Sequence, residues 1–468
     1  MRVIFADLVE HPVTPFPSQL APADPGAASP IMADAHRSRK LNPCILAAPV
    51  AHCAVFALAF AAAATSGGAQ RPVARPRTPA APASTQPATA ATAPTATYWV
   101  YVGAESADRM HRVRFGPGGA MVEKTIPIGE LAAEMEGPHG LQITADGKWL
   151  YMTTGHGTPD GKLWKYDLGP DTLVGPGISL GKFPASIDVT PDGLYTFSAN
   201  FNLHGEMVPS SISVVYTPTL TEVAQIETCT MPHGSRIEPS GAMQYSGCMM
   251  DDQLVEIDTR SFAVARRFSL AKGKEGPITS TAAMAGHDMH NMPGMGSTPA
   301  AAPPAATPQM DANQGHGVSM SATCSPTWAQ PSADGKKVFV SCNKADEILE
   351  VDRVQWAITR RIKTGRGPYN LAVTPDGRFL VATLKQSAGF EIYDLAAGVS
   401  VAQLKTSTTV AHGVVVSPDS RYAFVSSEGV GAQPGKLDVY DLRARTKVAT
   451  ADLAQQASGI AFWKMEGK

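Results

Sequence analysis

The stretch GPHGLQITADGKWLYMTTGHG, from Gly137 to Gly157, contains the unit that decides the fold. Two short segments rich in apolar residues flank the pair Asp146-Gly147. An Asp-Gly pair between such segments is typical of a tight β-hairpin, because glycine tolerates the positive φ of these turns. A second copy, MPHGSRIEPSGAMQYSGC, runs from Met231 to Cys248. The sequence therefore predicts a repeated hairpin that begins with Pro-His-Gly.

The hairpin unit recurs along the chain, and a third and a more variable fourth strand follow it. The residues that open the units are Pro138, Pro184, Pro232, Pro326, Pro368, Ala411 and Ala457, at spacings of 46, 48, 94, 42, 43 and 46 residues. A period of this length with four strands per unit is typical of propeller blades. We therefore predict an all-β, seven-bladed propeller, with an insertion at about 277–322 inside the long spacing.

The two ends of this repeat region complement each other. The last unit, ASGIAFWKM from Ala457, has no turn or second strand after it, whereas the segment from Tyr98 supplies three strands and no inner one. We expect the two ends to share one blade, which closes the ring and removes an open sheet edge.

Short motifs after the turns carry a family resemblance. They read Tyr151-Met152-Thr153-Thr154, Phe339-Val340-Ser341-Cys342 and Phe424-Val425-Ser426-Ser427. Over about 98–468 the repeat resembles the YVTN-type β-propeller family, whose unit runs Pro-x-x-x-x-x-x-Pro-Asp-Gly-x-x-x-Tyr-Val. WD40 repeats fit less well, because the chain has no Trp-Asp pair. The resemblance implies an exported seven-bladed propeller and says little about activity.

The N-terminal part differs in composition from the repeats. We interpret 1–69 as an upstream extension plus a signal peptide, with Met32 as the true start. The apolar run Cys53 to Ala64 has the length of a signal-peptide core and is too short to span a bilayer. Residues 70–97 form a Pro/Ala/Thr linker. We expect a periplasmic or secreted protein, and the alternative is an uncleaved membrane anchor with the propeller facing outward.

Charge and motifs exclude several classes of partner. The net charge is -2, 17% of residues are charged, and no basic stripe is present, so nucleic-acid binding is not expected. The chain has no Cys-x-x-Cys-His haem motif, and we expect neither haem nor nucleotide. We predict a monomer without a membrane span in the mature chain, and an unidentified protein or small ligand as partner at the channel mouth.

Five histidines are expected at one mouth of the propeller channel. His139, His233 and His412 lie where the chain enters inner strands, and His156 and His204 follow second strands. Because imidazole is the commonest metal ligand, this set suits copper, zinc or iron better than calcium or magnesium. The alternative is that each ring hydrogen-bonds the backbone of a neighbouring blade.

The same loops bring other side chains to this mouth. They are Glu105, Met249, Asp251, Asn343, Tyr369, Asn370, Lys385 and Glu428. Nine histidines lie after residue 69, and six of them are followed directly by glycine. A small neighbour lets another group, or a ligand, approach the imidazole.

The insertion is rich in methionine and histidine. Its candidate ligands are His287, Met289, His290, Met292, Met295 and His316. Thioether with imidazole favours copper, and the core HDMHNMPGM resembles the Met/His-rich segments of periplasmic copper-handling proteins. We expect this loop to be disordered without metal. The alternative is a Pro/Ala loop in which methionine is filler.

Four cysteines remain after loss of the signal peptide, and they allow three pairings. The repeat places the start of an inner strand beside the end of the second strand. We therefore predict the bonds Cys229–Cys248 and Cys324–Cys342, which export would permit. The alternative is that the thiolates ligate a metal at the mouth.

Three functions are compatible with these features. We favour a non-catalytic, exported binding or scaffold protein that holds copper through the Met/His-rich loop and the histidine-lined mouth. The first alternative is a copper-dependent oxidoreductase with metal at the propeller axis. The second is a hydrolase or lyase, which would need a nucleophile–base pair or a carboxylate pair at the mouth, with Glu105, Asp251 and Glu428 as candidates.

Overall fold

The computed structural model describes residues 87–130, 134–156, 161–279 and 322–467. The chain divides into two units, Met1–Thr78 and Pro79–Lys468, and the first lies outside the described residues. The described residues form seven antiparallel sheets and one short 3-10 helix, Glu105–Ala107. None of their helices is long and apolar enough to cross a bilayer. The predicted all-β, seven-bladed propeller is therefore confirmed.

Each blade is an antiparallel sheet whose strands run from the channel outward. The inner strands, listed in chain order from blade 2 to blade 7 and then blade 1, are β4 (Pro138–Ile143), β9 (Pro184–Val189), β13 (Pro232–Ile237), β18 (Pro326–Pro331), β22 (Pro368–Val373), β26 (Val410–Val416) and β30 (Ala457–Glu466). The second strands, from blade 1 to blade 7, are β1 (Thr97–Ala104), β5 (Trp149–Thr154), β10 (Tyr195–Asn200), β14 (Met243–Cys248), β19 (Lys337–Cys342), β23 (Phe379–Leu384) and β27 (Tyr422–Glu428).

The outer strands of the blades vary more in length and number than the inner ones. The third strands are β2 (Arg109–Gly116), β6 (Lys162–Asp167), β11 (Pro209–Tyr216), β15 (Gln253–Asp258), β20 (Glu347–Asp352), β24 (Gly389–Asp394) and β28 (Pro434–Asp441). The outermost strands are β3 (Gly119–Pro127), the short pair β7 (Thr172–Leu173) and β8 (Ile178–Ser179), β12 (Thr221–Thr230), β16 (Ala263–Ser269) with β17 (Gly276–Pro277), β21 (Ala357–Lys363), β25 (Val399–Lys405) and β29 (Thr446–Gln455).

The inner strands close into a ring around the channel. Each inner strand contacts the next one in the order β30, β4, β9, β13, β18, β22 and β26, and β26 contacts β30 in turn. In blade 1 the two chain ends meet, since β1 pairs antiparallel with β30 from Thr97↔Glu466 to Ala104↔Ala457. The predicted closure by the terminal strands is confirmed, and β30 covers the inner edge of β1.

The hydrophobic core lies between neighbouring sheets. At the seam between blades 7 and 1, Tyr98 and Phe115 meet Tyr422 edge to face, with ring centres 5.2 and 5.0 Å away. The Tyr98 hydroxyl donates to Asp419 Oδ2 at 2.8 Å. Edge-to-face contacts add to the free energy gained by burial, so the seam joins the chain ends with packing as well as strand pairing.

The Asp-Gly turns lie at the end of the propeller opposite the histidines, and each satisfies its own polar groups. In blade 6, Asp376 Oδ1 accepts hydrogen bonds from Thr374 Oγ1 at 2.6 Å and from the Arg378 amide at 3.0 Å. Gly377 follows with a φ of 70°, which explains the glycine. The turns at Asp146, Asp192, Asp334 and Asp419 repeat this pattern.

Two disulfides lie on the mouth side: one joins the end of β12 in blade 3 to the end of β14 in blade 4, and the other joins the segment just before β18 to the end of β19 in blade 5. Cys229 bonds Cys248 and Cys324 bonds Cys342, with Cα atoms 5.9 and 4.4 Å apart. Both predicted pairs are confirmed, so these cysteines are not free thiolates for a metal.

Part of the predicted linker is among the described residues. The Thr89 amide donates to Arg443 O at 3.1 Å, and Arg421 Nη2 donates to Thr92 O at 2.9 Å. Residues 87–97 therefore lie against blade 7 before the chain enters β1. The predicted boundaries at 69 and 97 and the export signal stay predictions.

Candidate functional site

Three histidines meet at the channel mouth because they share one position in the repeat. The second residue of the unit in blades 2, 4 and 7 is His139, His233 and His412, and each is only 2–6% exposed. The ring centre of His139 lies 5.3 Å from that of His412 and 6.4 Å from that of His233. Tyr369 occupies the same position in blade 6, and its ring lies 5.3 Å from His233 and 4.9 Å from His412.

The glycine after each of these histidines has a structural cause. A Cβ on Gly234 would lie 2.3 Å from Thr327 O, and one on Gly413 would lie 2.7 Å from Ser458 O. These carbonyls belong to the next blade. The glycine after these histidines therefore allows the close approach of neighbouring inner strands. The sequence had allowed two explanations, the approach of another protein group or that of a ligand, and the first applies here.

Backbone carbonyls of the next blade hold two of the rings. His139 Nδ1 lies 2.6 Å from Ala185 O, and His233 Nδ1 lies 2.9 Å from Thr327 O. A carbonyl only accepts hydrogen bonds, so Nδ1 carries the proton in both rings and Nε2 keeps its lone pair. The hydrogen bonds to neighbouring blades that the sequence raised as an alternative therefore exist. They leave the Nε2 lone pair of His139 free of a backbone partner, whereas that of His233 accepts a hydrogen bond from the Tyr369 hydroxyl.

The Nε2 atoms face three different groups. His139 Nε2 lies 3.9 Å from Glu105 Oε2, and His412 Nε2 lies 3.7 Å from Glu428 Oε1. His233 Nε2 lies 3.0 Å from the Tyr369 hydroxyl. Two carboxylates and a phenol thus surround the three imidazoles.

A buried lysine completes the charges at the mouth. Lys385 Nζ lies 3.6 Å from Glu428 Oε1 and 4.3 Å above the ring of Tyr369. Burial alone would lower the pKa of Lys385, but Tyr369 and the carboxylates of Glu428 and Glu105 together raise it above its usual value. The ammonium is therefore charged at neutral pH and compensates a carboxylate.

The two carboxylates differ in acidity. Burial raises the pKa of Glu428, and Glu105 adds to this effect while Lys385 opposes it. Burial would also raise the pKa of Glu105, but His139 and the hydrogen bond from His156 outweigh it, so that its pKa is lowered. Carboxyl groups whose pKa values are pushed apart are typical of functional sites, although ion-pair networks also produce them.

A row of polar groups connects the mouth with the surface. His156 Nε2 lies 2.7 Å from Glu105 Oε1, and His204 Nε2 lies 3.3 Å from His156 Nδ1. The side-chain amide of Gln456 donates a hydrogen bond from Nε2 to Glu105 Oε2 at 3.0 Å. His156 and His204 therefore lie beside the three buried histidines, but on the solvent side of Glu105.

Burial keeps two of the three imidazoles, His139 and His233, neutral. It lowers the pKa of His233 to about 3, with a further contribution from His139. It also lowers the pKa of His139, against the opposing charge of Glu105. Neutral imidazole is the form that binds metal ions.

Several predicted mouth residues lie elsewhere. Met249 is 3% exposed and packs with Phe183, Phe201 and Met231 in an apolar cluster. Asp251 is exposed and accepts from the Thr230 amide at 2.7 Å, so it does not join the carboxylates of Glu105 and Glu428.

Two asparagines lie at different depths of the channel. Asn343 lies at the rim, where its Nδ2 donates to Pro368 O at 3.2 Å. Asn370 is 5% exposed and lines the channel below the histidines. The loop residues His287, Met289, His290, Met292, Met295 and His316 lie outside the described residues, so their role stays a prediction.

Sequence reasoning listed Tyr369 and Lys385 among the mouth residues but missed Phe183, Arg236 and Trp328. Phe183 packs on His139 and His156 with ring centres 5.4 and 4.9 Å away. Arg236 and Trp328 line the channel below. The only signal available for Arg236 was its place on an inner strand, three residues after His233.

Within the part of the chain that the structure describes, no three His, Cys, Asp or Glu side chains already stand in a metal-ligand arrangement. What the mouth brings together is a set of largely buried imidazoles and carboxylates, of which His139 and His233 are neutral. Such a set can bind a cation or move protons. The metal-binding role of these residues stays a prediction.

Comparisons with known proteins bear on the fold. No protein-family model matches the chain, and no curated protein matches its sequence. The periplasmic gluconolactonase of Pseudomonas aeruginosa is similar in structure, with 14% identity over 79% of this chain and 99% of that chain and a TM-score of 0.56.

Two further solved structures are similar, with comparable sequence identities and TM-scores. A protein from Lactobacillus plantarum is 13% identical over 79% of this chain and all of that chain, with a TM-score of 0.54. Hydrazine synthase of Kuenenia stuttgartiensis is 16% identical over 71% of this chain and 93% of that chain, with a TM-score of 0.50. At these identities the likenesses show the fold alone.

Proposed function

We propose that this protein is an exported β-propeller that binds one copper ion at its axis, through Nε2 of His139, His233 and His412. The observation that carries the proposal is the hydrogen bond from Nδ1 of His139 and of His233 to a carbonyl of the next blade. Such bonds to the second nitrogen fix the ring orientation and the tautomer of metal-ligating histidines.

The separation of two of the rings is compatible with a shared ion. A metal–nitrogen bond of about 2 Å puts each ring centre about 3 Å from the metal, so that two ligating rings have centres at most about 6 Å apart. The separation of 5.3 Å for His139–His412 lies within this limit, whereas His233, whose ring centre is 6.4 Å from that of His139, has to move closer to share the ion. A three-histidine set with soft or borderline character favours copper or zinc over magnesium or calcium.

The carboxylates favour a cation in the same place. Glu105 and Glu428 lie 3.9 and 3.7 Å from Nε2 atoms of the set, and both are largely buried. Lys385 now offsets the charge of Glu428 and would repel a metal ion. The affinity therefore depends on the balance between two carboxylates and one ammonium.

The Met/His-rich segment fits the role of a copper-collecting loop. It contains thioether and imidazole groups at His287, Met289, His290, Met292 and Met295, and methionine sulfur is a good ligand for Cu(I). In this proposal the loop captures copper and the axial histidines retain it. The two disulfides agree with an oxidising compartment outside the cytoplasm.

A redox role is the second candidate. It is favoured by Tyr369, whose hydroxyl lies 3.0 Å from His233 Nε2 and whose ring lies beside His412. Three histidine ligands leave a coordination position open, as in catalytic rather than closed structural sites. A copper-dependent oxidoreductase would use that position for its substrate.

Metal analysis of the full chain tests the proposal. Protein from copper-supplemented cells, dialysed against metal-free buffer, should retain one copper ion per chain. The variant that lacks 280–321 should retain it too, and the triple variant H139A/H233A/H412A should lose it. H204A is the matched control, because His204 is an exposed histidine of the same mouth, and this variant should keep its copper.

Two results would contradict the axial site. The first is a triple variant that holds as much copper as the wild type. The second is a protein without 280–321 that holds none, since copper would then be bound by the loop alone.

A further inference from the structure

Below the three histidines the channel contains a second polar site, centred on Arg236. This residue lies on β13, and it lines a narrow cavity together with Trp328 and Asn370. Apolar side chains of Leu141 and Ile460 form other parts of the wall. A charged group in such a place needs a partner, because removing a charge from water without compensation costs several kcal/mol.

The guanidinium of Arg236 is held in a fixed plane. Its Nη1 donates to Ser235 O at 2.9 Å and to Ile187 O at 3.3 Å. Its central carbon lies 4.6 Å from the centre of the Trp328 ring, which is a cation–π contact. Two main-chain bonds and a stacked indole therefore set its orientation before any ligand arrives.

One edge of this guanidinium is unused. Arg236 is half-buried, and among the described residues its hydrogen bonds come from Nη1 and it forms no ion pair with a carboxylate. Asp188 is the nearest acidic group that acts on it electrostatically. The Nε–Nη2 edge is one that carboxylates bind through two parallel hydrogen bonds.

Asp188 does not take this place because other donors occupy its oxygens. Its Oδ2 accepts from the Ile237 amide at 2.7 Å, and its Oδ1 accepts from the Val189 amide at 2.9 Å and from the side chain of Gln142. Burial lowers the pKa of Arg236, and Asp188 only opposes this effect. The charge of Arg236 is therefore incompletely compensated.

Two further polar atoms of the wall have no partner among the described residues. They are Nε1 of Trp328 and Oδ1 of Asn370, on side chains that are 6% and 5% exposed. Buried polar atoms without a hydrogen bond are rare in folded proteins and often mark a site for water or a ligand. Both residues line the same cavity as Arg236.

We propose that this cavity binds a small carboxylate, of the size of formate or acetate, through the Nε–Nη2 edge of Arg236. The volume of this cavity is only about 20 Å³, so we expect it to admit a small planar acid and to exclude a branched one. His139 and His412 also line the cavity, so it adjoins the metal site proposed above. Binding of the carboxylate through Arg236 does not require the metal, and it is therefore measured in metal-free protein.

The test uses the full chain after treatment with EDTA, titrated with sodium acetate at constant ionic strength and followed by saturation-transfer NMR. Acetate should bind saturably, and R236Q should weaken its binding at least tenfold. R378Q is the matched control, because Arg378 also stacks on an aromatic ring, 4.5 Å from that of Phe379, but does not line the cavity. Its affinity for acetate should stay within twofold of the wild type.

Two additions keep the result decisive if R236Q folds poorly. R236K keeps the charge but lacks the two-pronged edge, and it should bind acetate at least threefold more weakly than the wild type. In the wild type itself, formate should compete with acetate and pivalate should not.

Three results would overturn the carboxylate site. They are the absence of saturable acetate binding to the wild type, unchanged binding in R236Q and R236K, and competition by pivalate as strong as that by formate. Loss of copper binding would leave all of these measurements unaffected, because the protein is free of metal throughout.

Discussion

The two ends of the propeller are built from the same strands, yet their polar groups are satisfied in different ways. At the turn end, Asp376 bonds groups two residues away on either side. At the mouth, His233 bonds Thr327, 94 residues away, and Tyr369, 136 residues away. The turns satisfy most of their polar groups locally, and only single hydrogen bonds, such as that from Tyr98 to Asp419, come from a neighbouring blade among the described residues. The mouth forms only when the ring closes, because its residues come from different blades. It contains carboxylates, an ammonium group and imidazole lone pairs that can interact with a ligand.

The largest effect is expected where the inner strands approach one another. A Cβ on Gly459 would lie 1.7 Å from His139 O, which is backbone and cannot swing away. G459A should therefore lower the free energy of unfolding by about 3 kcal/mol or more. Gly118 has no heavy atom within 4 Å of such a Cβ, so G118A is the matched control for urea denaturation. Equal stability of the two variants would show that the ring is looser than described.

A histidine outside the mouth should make stability depend on pH. His111 is 5% exposed, its Nδ1 lies 2.9 Å from Thr125 Oγ1, and its Nε2 accepts from the Ala454 amide of blade 7 at 3.1 Å. Burial, with a contribution from Arg109, lowers the pKa of His111 from 6.5 to about 4.

Because this pKa is lower in the folded than in the unfolded protein, the stabilising contribution of His111 is complete above pH 6.5 and is lost as the pH falls through about 4. The loss should amount to about 3 kcal/mol. The difference between the urea stabilities of the wild type and H111Q, measured from pH 8 to pH 4, isolates this term. A difference that does not change with pH would contradict the assignment.

Lys385 should limit the metal affinity of the mouth. Its ammonium compensates Glu428 at 3.6 Å, so its removal leaves the carboxylate free to attract a cation. K385Q should bind Cu(II) about tenfold more tightly, equivalent to about 1.4 kcal/mol. Competition with a chelator of known affinity measures this change, and K363Q, which alters an exposed lysine of β21, controls for net charge. Weaker binding in K385Q would mean that the lysine supports the ligand instead.

The smallest effect is expected at the turn end. D376A removes the acceptor of two hydrogen bonds within one exposed turn and should cost about 1 kcal/mol of stability. Its copper content should equal that of the wild type. A change in copper binding after this substitution would break the distinction between the two ends of the propeller.

The sequence alone was sufficient for the fold, because the repeat is a local pattern. Asp-Gly turns, alternating strands and a regular period defined seven sheets, and the unmatched segments at Tyr98 and Ala457 defined the closure. The cysteine pairs followed from strand ends that the repeat places side by side. Each of these features is set by residues near one another in the chain or at equivalent places in the unit.

The site was less predictable, because side chains at equivalent positions meet different partners. The repeat puts His139, His233 and His412 at the same height, but it cannot say that one faces Glu105, one Tyr369 and one Glu428. Asp251 occupies a mouth loop as the two glutamates do, yet it bonds the Thr230 amide and stays exposed. Arg236 belongs to no recurring motif, so only the packing of Trp328 against it reveals it.

Electron paramagnetic resonance of the Cu(II)-loaded protein tests the central claim most directly. The variant H287A/H290A/H316A removes the imidazoles of the loop, so that any remaining imidazole signal comes from the propeller. The account predicts copper coupled to imidazole nitrogens in this variant, and loss of that coupling when His139, His233 and His412 are also changed to alanine. Coupling that survives the axial substitutions, or that is already absent from the loop variant, would contradict a copper site at the propeller axis.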